Sequence, residues 1–378
     1  MSVRRVGVEE ELLLVDPGTG RLAAVSDRAL AEHRSRLADA RPSPEPLHDL
    51  LEPDVEQELY RQQIETGSAV VDTLPDLRLA IGAGRRAAGE AAHAAGVSVA
   101  AVAAPVLDAP AGEVTGKSRY QRMLDTFGEI ARGVIVCGMH THVDVAGEDE
   151  AVAVVDRLRP WLPVLLALSG NSPFFAGRDT GYHSWRSQLW RRWPTATQGE
   201  PFGDAAGYHA AVDALIESGA AMDRGMVYLD ARPSARYPTV EVRVADVCLD
   251  VDDAVLVAAL VRGLVETAAR DAHDGEPVPR WRSELLAAAR WRAGRDGISG
   301  DLLDPTTQRL AGAGTVVRTV LDYTESALRD AGDLDTVREH LDRLFSRGTG
   351  ASRQRSVFRA AGNLEAVMCD VLSRTAAF

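Results

Sequence analysis

The sequence is poor in lysine and in cysteine. Lys117 is the only lysine among 42 Lys and Arg residues. We interpret this bias towards arginine as a consequence of the base composition of the genome and not as a requirement of the protein's chemistry. The three cysteines, Cys137, Cys248 and Cys369, form no metal-like cluster. So few thiols suit a reducing compartment, and we expect the protein to be cytoplasmic.

Positive charge and long apolar runs are also scarce. The 55 Asp and Glu residues exceed the 42 Lys and Arg residues and leave a formal charge of −13. Such an acidic surface repels phosphate backbones and anionic lipid, so we expect neither nucleic acid nor a membrane as partner. The longest apolar stretches, such as Val97–Leu107 and Trp161–Leu168, each contain a proline and are too short to span a bilayer. The N-terminus leads almost directly into a charged, strand-like segment, so no signal peptide is expected.

What is present is ordinary globular composition. The chain has 378 residues, of which 46% are hydrophobic and 5% aromatic, which is enough to bury a core. Strand patterns are few and do not alternate with helices in a βαβ rhythm, which favours the α+β class. There is no internal repeat and no long linker, so we expect a single domain over residues 1–378. Residues 252–378 are predicted to be largely helical.

Two segments are less regular. Arg41–Pro46 is predicted to be a proline-rich loop. Glu56–Val71 is compatible with an irregular strand or with a short helix, and its pattern does not distinguish the two.

The proline residues Pro160 and Pro163 are expected to break or kink the helix predicted over Val152–Leu168.

Charged residues fall on one face of each of three predicted strands, because side chains alternate with a period of two. The strands are VGVEEELLLV, GVIVCGMHTHVDV and VEVRV. Their charged faces hold Glu9 and Glu11, then His140, His142 and Asp144, and then Glu241 and Arg243. Glu10 lies on the opposite face of the first strand.

These polar faces have two interpretations. They could simply be solvated, as one face of an antiparallel sheet often is. However, solvated faces favour Lys, Thr and Gln and not His-x-His or isolated Glu-x-Glu, so three such strands suggest a shared site. Glu58 and Glu65 are seven residues apart and would share a face if their segment were helical, although a solvated amphipathic face explains that pair equally simply.

If these groups converge, five carboxylates meet in one cavity and must be neutralised by protons or by cations. Oxygen-rich ligand sets favour Mg²⁺ or Mn²⁺ over zinc, and one imidazole, from His140 or His142, is compatible with either. Several Mg²⁺ ions in a carboxylate cage usually hold a polyphosphate. Arg243, next but one to Glu241, would then contact a transferring phosphoryl group.

The segment HSWRSQLWRRWP places three tryptophans among arginines. Tryptophans at about helical spacing are most often core residues. Arg186 could bind the carboxylate of a substrate through its bidentate fork, or could form an internal salt bridge. The sequence leaves both alternatives open.

Gly112–Ser118 (GEVTGKS) resembles a P-loop but has three residues between its glycines where the motif needs four. No clear strand leads into it either. We therefore do not expect a P-loop.

Five motifs together resemble the bacterial carboxylate–amine ligases, also called glutamate–cysteine ligase family 2. These are GVEEELLLVDPGTG, CGMHTHVDV, SWRSQLWRRWPTA, TVEVRVADVCLDVDDAV and ARWRAGRDGISGDLLDP, and the similarity spans about residues 5–375. CGMHTHVDV and VEVRVAD are also similar to the metal-binding and phosphate-binding strands of glutamine synthetase. The chain is thus identified as a member of the wider glutamine synthetase/glutamate–cysteine ligase superfamily.

The resemblance implies a curved, mainly antiparallel sheet that forms a funnel-shaped active site, with helices packed outside. It implies two or more Mg²⁺ ions, or Mn²⁺ in their place, with ATP as co-substrate. The implied metal ligands are Glu9, Glu11, Glu58, Glu65, His140 and Glu241. The implied nucleotide contacts are His142 and Arg243, the implied catalytic residues are Arg243 and Glu241, and Arg186 is implied to bind the acid substrate.

The predicted function is ATP-dependent ligation of a carboxylic acid, with glutamate as one candidate, to an amine through an acyl phosphate, with weak glutamate–cysteine ligase activity. The expectation that the protein forms a homodimer rests on the resemblance alone. One alternative is a relative that binds Mg-ATP without catalysis. Another is a metal-dependent amide hydrolase, which His140-x-His142 would allow, although zinc hydrolases usually need further histidine ligands.

Overall fold

The computed structural model describes residues 3–39, 53–108, 110–197 and 199–377, and its central element is a seven-stranded sheet in which all paired strands are antiparallel. The predicted loop Arg41–Pro46 lies outside the described residues. The strands of this sheet are β1 (Val6–Val15), β2 (Asp54–Gln57), β3 (Gln63–Gly67), β4 (Ser98–Ala100), β5 (Gly138–Asp144), β8 (Ala231–Pro233) and β9 (Thr239–Asp246). The strand order is β2-β3-β1-β5-β9-β8, and β4 pairs with the end of β1.

Strand β1 is the centre of the sheet because three other strands pair with it. Its first half pairs with β5, its middle with β3 and its last three residues with β4. The strand is long and rich in Val and Leu, as a buried central strand requires. Two short hairpins lie outside this sheet, β6 (Phe174–Phe175) with β7 (Arg178–Asp179), and β10 (Asp301–Leu303) with β11 (Leu310–Gly312).

Helices account for most of the remaining chain. Those before β9 are α1 (Ser26–Asp39), α2 (Leu74–Ala94), α3 (Ser118–Phe127), α4 (Glu129–Gly133), α5 (Glu148–Leu158), α6 (Leu162–Ser169), α7 (Arg186–Trp190) and α8 (Ala205–Glu217). Those after it are α9 (Val251–His273), α10 (Ser283–Asp296), α11 (Ala313–Ala331), α12 (Leu334–Arg347), α13 (Gly350–Ala361) and α14 (Leu364–Thr375). The C-terminal part is therefore largely helical.

Local sequence signals set several helix ends. The Thr73 hydroxyl accepts a hydrogen bond from the Asp76 backbone N–H at 3.2 Å and caps α2, which has a proline in its first turn. The predicted break near Pro160 is confirmed, because α5 ends at Leu158 and α6 begins at Leu162. No helix in the described ranges has both the length and the apolar character that a bilayer span requires.

The apolar face of the sheet packs on helices and forms the largest core. Val240, Val242 and Val244 of β9 belong to it, together with Met139 and Val143 of β5. Helix α9 is buried along most of its length against these strands and against α5 and α11. Since successive side chains of a strand point to opposite faces, the alternate residues of the same strands lie on the other side, where the charged groups are.

Candidate active site

A cavity of about 490 Å³ lies on the polar face of the sheet. Its lining includes every charged strand residue predicted for the site, with the sole exception of Asp144, whose carboxylate pairs with exposed Arg5 at 2.7 Å. The predicted residues in the lining are Glu9, Glu11, Glu58, Glu65, His140, His142, Glu241 and Arg243.

Strand register brings these groups together in opposed pairs. Glu9 stands opposite His140, and Glu11 stands opposite Glu65. On the next pair of strands His142 stands opposite Glu241. Side chains directly opposite one another on the same face lie within contact distance, so β1, β3, β5 and β9 together build the polar floor of the cavity.

Glu9 contacts both histidines. Its carboxylate oxygens lie 3.2 Å from His140 Nδ1 and 3.4 Å from His142 Nε2. His140 Nε2 also lies 3.7 Å from Glu11, and His142 Nδ1 lies 3.0 Å from the Thr239 hydroxyl. His142 is thus held between β1 and β9, whereas these two contacts of His140 both come from β1.

Glu241 is held by two guanidinium groups. Arg232 Nε donates to one carboxylate oxygen at 2.8 Å, and Arg243 Nη1 donates to the other. Arg243 Nη1 also lies 3.4 Å from His140 Nδ1. The predicted neighbours Glu241 and Arg243 therefore face the same cavity, as the period of two requires.

Glu11, Glu58 and Glu65 form a separate acidic group. One carboxylate oxygen from each lies within 4.8 Å of the others. Segment 56–71 contains strands β2 and β3 and not a helix, so Glu58 and Glu65 do not share a helical face. They converge because Glu58 lies just after β2 and Glu65 lies on β3, which turns back antiparallel to it.

Burial and neighbouring charges shift the pKa values of these groups in opposite directions. Burial raises the pKa of Glu65 well above its usual range, and the carboxylates of Glu58, Glu9 and Glu11 raise it further. Burial opposes the ionisation of Glu241, but Arg243 and Arg232 outweigh it and hold its pKa well below the usual range. Burial and the charge of Arg243 lower the pKa of His140, which keeps its imidazole neutral and able to act as a ligand.

The donor chemistry fits hard divalent cations. A second set of three groups, Glu9, His142 and Glu241, also offers ligand atoms within 4.8 Å of one another. Carboxylate oxygens with one imidazole suit Mg²⁺ or Mn²⁺. Burial and three neighbouring carboxylates raise the pKa of Glu65 despite the opposing charge of Arg243, and a bound cation would favour its ionised form. In this arrangement His142, predicted to contact nucleotide, lies among the candidate ligands, and His140, predicted to be a metal ligand, belongs to neither group.

Arg186 does not line the cavity. Its side chain is fully buried, and its guanidinium lies 3.8 Å from the Asp246 carboxylate. Of the two alternatives that the sequence leaves open for Arg186, the structure shows the internal salt bridge. In this position the guanidinium is not among the groups that an acid substrate in the cavity would contact.

Several cavity residues were missed by the sequence reasoning. Arg119 and Asp223, which form a bidentate pair at 2.9 Å, come from distant parts of the chain. Arg232 was missed because it lies on the short strand β8, which is too short to show a pattern. Lys117 and the aromatic residues Tyr120, Trp190 and Tyr228 complete this part of the lining.

The P-loop-like segment does not directly follow a strand, as a P-loop does, since the preceding strand β4 ends at Ala100. Val114 makes an isolated bridge with Tyr60, and Lys117 occupies the N-cap position of α3. A Cβ at Gly112 would lie 2.2 Å from the Tyr60 ring, so this glycine is required by close packing. The lysine of the segment nevertheless reaches the cavity.

Comparison with known proteins gives concordant results. A sequence profile described as glutamate–cysteine ligase family 2 matches residues 5–370. A protein of Frankia alni, provisionally named glutamate–cysteine ligase 2-2, is 48% identical over 375 residues, which cover 99% of this chain and 97% of the relative.

Two solved structures are similar in fold. Glutamate–cysteine ligase of Francisella tularensis, solved in complex with AMP, has a TM-score of 0.67 at 13% identity, covering 100% of this chain and 89% of that one. The ligase PafA, solved in complex with the prokaryotic ubiquitin-like protein Pup, has a TM-score of 0.54 at 15% identity, covering 98% and 72%. At these identities the similarity concerns the fold, and it agrees with the α+β architecture and the antiparallel sheet.

Proposed function

The chain belongs to glutamate–cysteine ligase family 2 and is an ATP-dependent ligase of carbon–nitrogen bonds, and we propose that it joins a carboxylic acid to an amine through an acyl phosphate. The observation that carries the proposal is the meeting of five carboxylates, two imidazoles and Arg243 in one cavity. So many carboxylates are unfavourable together unless they serve to hold cations beside a polyanionic substrate.

The proposed reaction has two steps. A carboxylate oxygen of the acid attacks the γ-phosphorus of ATP, and the bond to the bridging oxygen breaks to release ADP. The amine then attacks the carbonyl carbon of the acyl phosphate. Inorganic phosphate leaves and the amine loses a proton, so that an amide results. No protein nucleophile is needed, in keeping with the absence of a catalytic serine or cysteine motif from the sequence.

Two groups of residues would hold two divalent cations, one at Glu11, Glu58 and Glu65 and one at Glu9, His142 and Glu241. Cations bound there would supply positive charge against the phosphate oxygens of ATP. His140 contacts both Glu9 and Glu11 and so orients one carboxylate of each group. We propose Mg²⁺ for both positions because the donors are mainly carboxylate oxygens.

Arg243 is the proposed contact for the transferring phosphoryl group. Its guanidinium is held at the cavity floor by Glu241 and lies beside His140. Donors fixed in position before the reaction stabilise developing charge without reorganisation, and the loss of one such donor typically costs about 3 kcal/mol of transition-state stabilisation. Glu241 contributes by orienting Arg243 and by its place in the second ligand group.

We propose glutamate as the acid, on the basis of the family name and of the names of the relatives. We also propose that the cavity narrows as a funnel, with acidic groups on its floor and with Lys117, Arg119 and Arg236 among its lining residues. The single-domain organisation over residues 1–378 and the homodimer remain predictions.

The test is phosphate release from Mg-ATP with glutamate and a panel of amines that includes cysteine. We expect release to require both acid and amine, and to fall at least ~100-fold in Glu9→Gln, Glu241→Gln and Arg243→Gln. Glu56→Gln is the matched control, because Glu56 stands opposite Glu65 in the β2–β3 ladder but is exposed and does not line the cavity.

Other outcomes identify the alternatives. Mg-ATP binding without turnover over a broad panel would support a non-catalytic relative. Amide hydrolysis without ATP, abolished by a zinc chelator, would support the hydrolase. Among the described residues that line the cavity the histidines are His140 and His142, so a third imidazole for such a zinc site is not supplied there.

A further inference from the structure

Strand β9 departs from the regular ladder opposite His140. Gly138 and Met139 pair with Asp246 and Ala245, but Thr141 pairs with Val242. Two residues of β9, Arg243 and Val244, therefore stand opposite the single residue His140. An extra residue of this kind is a β-bulge, which bends the strand and re-aims the side chains beside it.

Arg186 binds the backbone of this bulge. Its Nη2 donates to the Arg243 carbonyl at 3.1 Å and its Nη1 to the Val244 carbonyl at 3.2 Å. These are the two residues that the register shift displaces. One guanidinium thus supplies hydrogen bonds to both carbonyls where the ladder is interrupted.

The bulge is also held from its other edge. The Arg243 backbone N–H donates to the Asp230 carbonyl at 2.8 Å, which continues the pairing of β8 with β9. The backbone of Arg243 is therefore bound on both sides, by Asp230 and by Arg186. Its side chain projects from this point to Glu241 and His140 in the cavity.

Arg186 itself is fixed by a buried polar network. Its backbone N–H donates to the Ser172 hydroxyl at 3.0 Å, and its guanidinium lies 3.8 Å from Asp246. Asp246 is fully buried and accepts hydrogen bonds from Asn171, Ser172 and Ser184. This network joins the short helix α7 to the end of β9, so the guanidinium has little freedom to move.

Gly138 makes room for the guanidinium. A Cβ at this position would lie 2.3 Å from Arg186 Nη2. The Gly138 backbone N–H donates to Glu11 at 2.5 Å, so the same residue contacts Glu11 of the acidic group. A side chain at residue 138 would displace Arg186 from the two carbonyls without removing its charge.

We propose that Arg186 is a positioning residue, which holds the Arg243–Val244 bulge and thereby aims the Arg243 guanidinium at the reacting phosphoryl group. The inference rests on the proposed function of Arg243. It differs from a substrate-binding role because the guanidinium is occupied by backbone carbonyls behind the cavity wall. A small misplacement of a catalytic donor lowers the rate of the chemical step more than it lowers substrate binding.

The first test is steady-state kinetics of Arg186→Lys, with Arg191→Lys as the control. Arg191 follows the same short helix but is exposed and does not line the cavity. We expect Arg186→Lys to lower kcat by roughly 10–100-fold and to leave KM for the acid and for ATP nearly unchanged. In Arg186→Lys/Arg243→Lys the loss should not exceed that of Arg243→Lys alone, because both changes remove the same interaction.

Two results would overturn the inference. A raised KM for the acid with kcat retained would make Arg186 a substrate contact, and kinetics equal to those of the wild type would leave it without a role. If Arg186→Lys does not fold, Gly138→Ala tests the same displacement with the buried charge pair intact. The same loss of kcat is expected, and unchanged kinetics would count against the proposal.

A readout without turnover separates this inference from the proposed function. Amide hydrogen exchange at Arg243 and Val244 should be faster in Arg186→Lys than in the wild type, in the protein without substrates. Unchanged exchange would refute the positioning role of Arg186 even if the enzyme is a ligase. Conversely, a wild type that turns over no substrate would refute the proposed ligase function, while the exchange experiment would still test whether Arg186 holds the bulge.

Discussion

Arg85 donates two hydrogen bonds to the carboxylate of Glu10, at 2.8 and 2.7 Å, on the face of β1 opposite to Glu9 and Glu11. Both side chains are almost completely buried. Arg85 also donates to the carbonyls of Cys248 and Leu249, and so ties α2 to the segment between β9 and α9. The three consecutive glutamates of β1 therefore have two different functions, because Glu10 stabilises the fold and its neighbours face the cavity.

This pair predicts a large effect on stability. Removing one partner in Glu10→Ala or Arg85→Ala leaves a buried charge uncompensated and should lower the free energy of unfolding by about 3–5 kcal/mol. The exposed pair Arg36–Glu90 provides the control, since Arg36→Ala should cost less than about 1 kcal/mol. Urea denaturation measures both, and equal losses at the two sites would contradict the prediction.

Glu65 should stabilise the protein only when cations are bound. Without a divalent ion this carboxyl must either take up a proton or stay charged beside Glu11 and Glu58, and both states are unfavourable. In EDTA, Glu65→Gln should therefore be more stable than the wild type by about 1–2 kcal/mol. With MgCl₂ the wild type should gain stability and the variant much less.

Thermal denaturation in EDTA and in MgCl₂ measures this difference, with Glu56→Gln as the control on the neighbouring strand. A Mg²⁺-induced rise in Tm that is as large in Glu65→Gln as in the wild type would exclude Glu65 as a ligand. If Glu65→Gln is less stable than the wild type in EDTA, other groups of the protein already neutralise the Glu65 carboxylate without a cation.

Lys117 allows a direct test of whether Mg-ATP binds in the cavity, because it is the sole lysine of the sequence. Its ammonium group lies 5.4 Å from the centre of the Tyr120 ring, and both residues line the cavity. An amine-reactive ester should therefore label this side chain and the terminal α-amine alone. Mg-ATP is expected to slow labelling of Lys117 several-fold, because phosphate oxygens attract the ammonium group.

Mass spectrometry measures the two labelling rates, and the α-amine provides an internal reference. Mg²⁺ without nucleotide controls for an effect of the ion alone. Identical Lys117 rates with and without Mg-ATP would place the nucleotide elsewhere.

His183 should make the fold sensitive to mild acid. Burial, followed by the nearby charge of Arg355, lowers the pKa of His183 to about 4. Because an unfolded histidine titrates near 6.5, the unfolded state binds the proton more readily than the folded state between about pH 6.5 and 4. Stability is therefore fully present above pH 6.5 and is lost as the pH falls through this window.

Between pH 7.5 and 5.5 this residue should account for a loss of about 1 kcal/mol in the free energy of unfolding. His183→Gln should show a correspondingly smaller pH dependence in urea denaturation. His93→Gln, at an exposed position, controls for the substitution itself. A variant with the same pH dependence as the wild type would assign the acid sensitivity to other groups.

Much of the site could be predicted because the alternation of side chains along a strand is a local property. The faces of β1, β5 and β9 follow from a period of two, and the structure places Glu9, His140 and Glu241 on the same side of one sheet. The separation of Glu10 from its neighbours follows from the same rule. The break near Pro160 is equally local, because proline lacks the amide hydrogen that a continuing helix needs.

Segment 56–71 shows where local reasoning fails. A spacing of seven residues suits a helical face, but Glu58 and Glu65 meet through the antiparallel pairing of β2 with β3. Strands this short carry too little pattern to be distinguished from a helix. Only the pairing of β3 with β1 brings these carboxylates to Glu11.

The sequence by itself determined which side chains share a strand face, since this depends on neighbours within a few residues. It could only predict that the carboxylates, the histidines and Arg243 meet, because their meeting depends on pairing between distant segments. Tertiary structure alone decided which of them touch, since strand register and packing join residues that are distant in the chain. Arg119 contacts Asp223, which is 104 residues away in the chain. Arg186 is buried behind β9, where it donates to the Arg243 carbonyl and does not line the cavity. No local pattern encodes such contacts, because they form only when the sheet and its helices pack together.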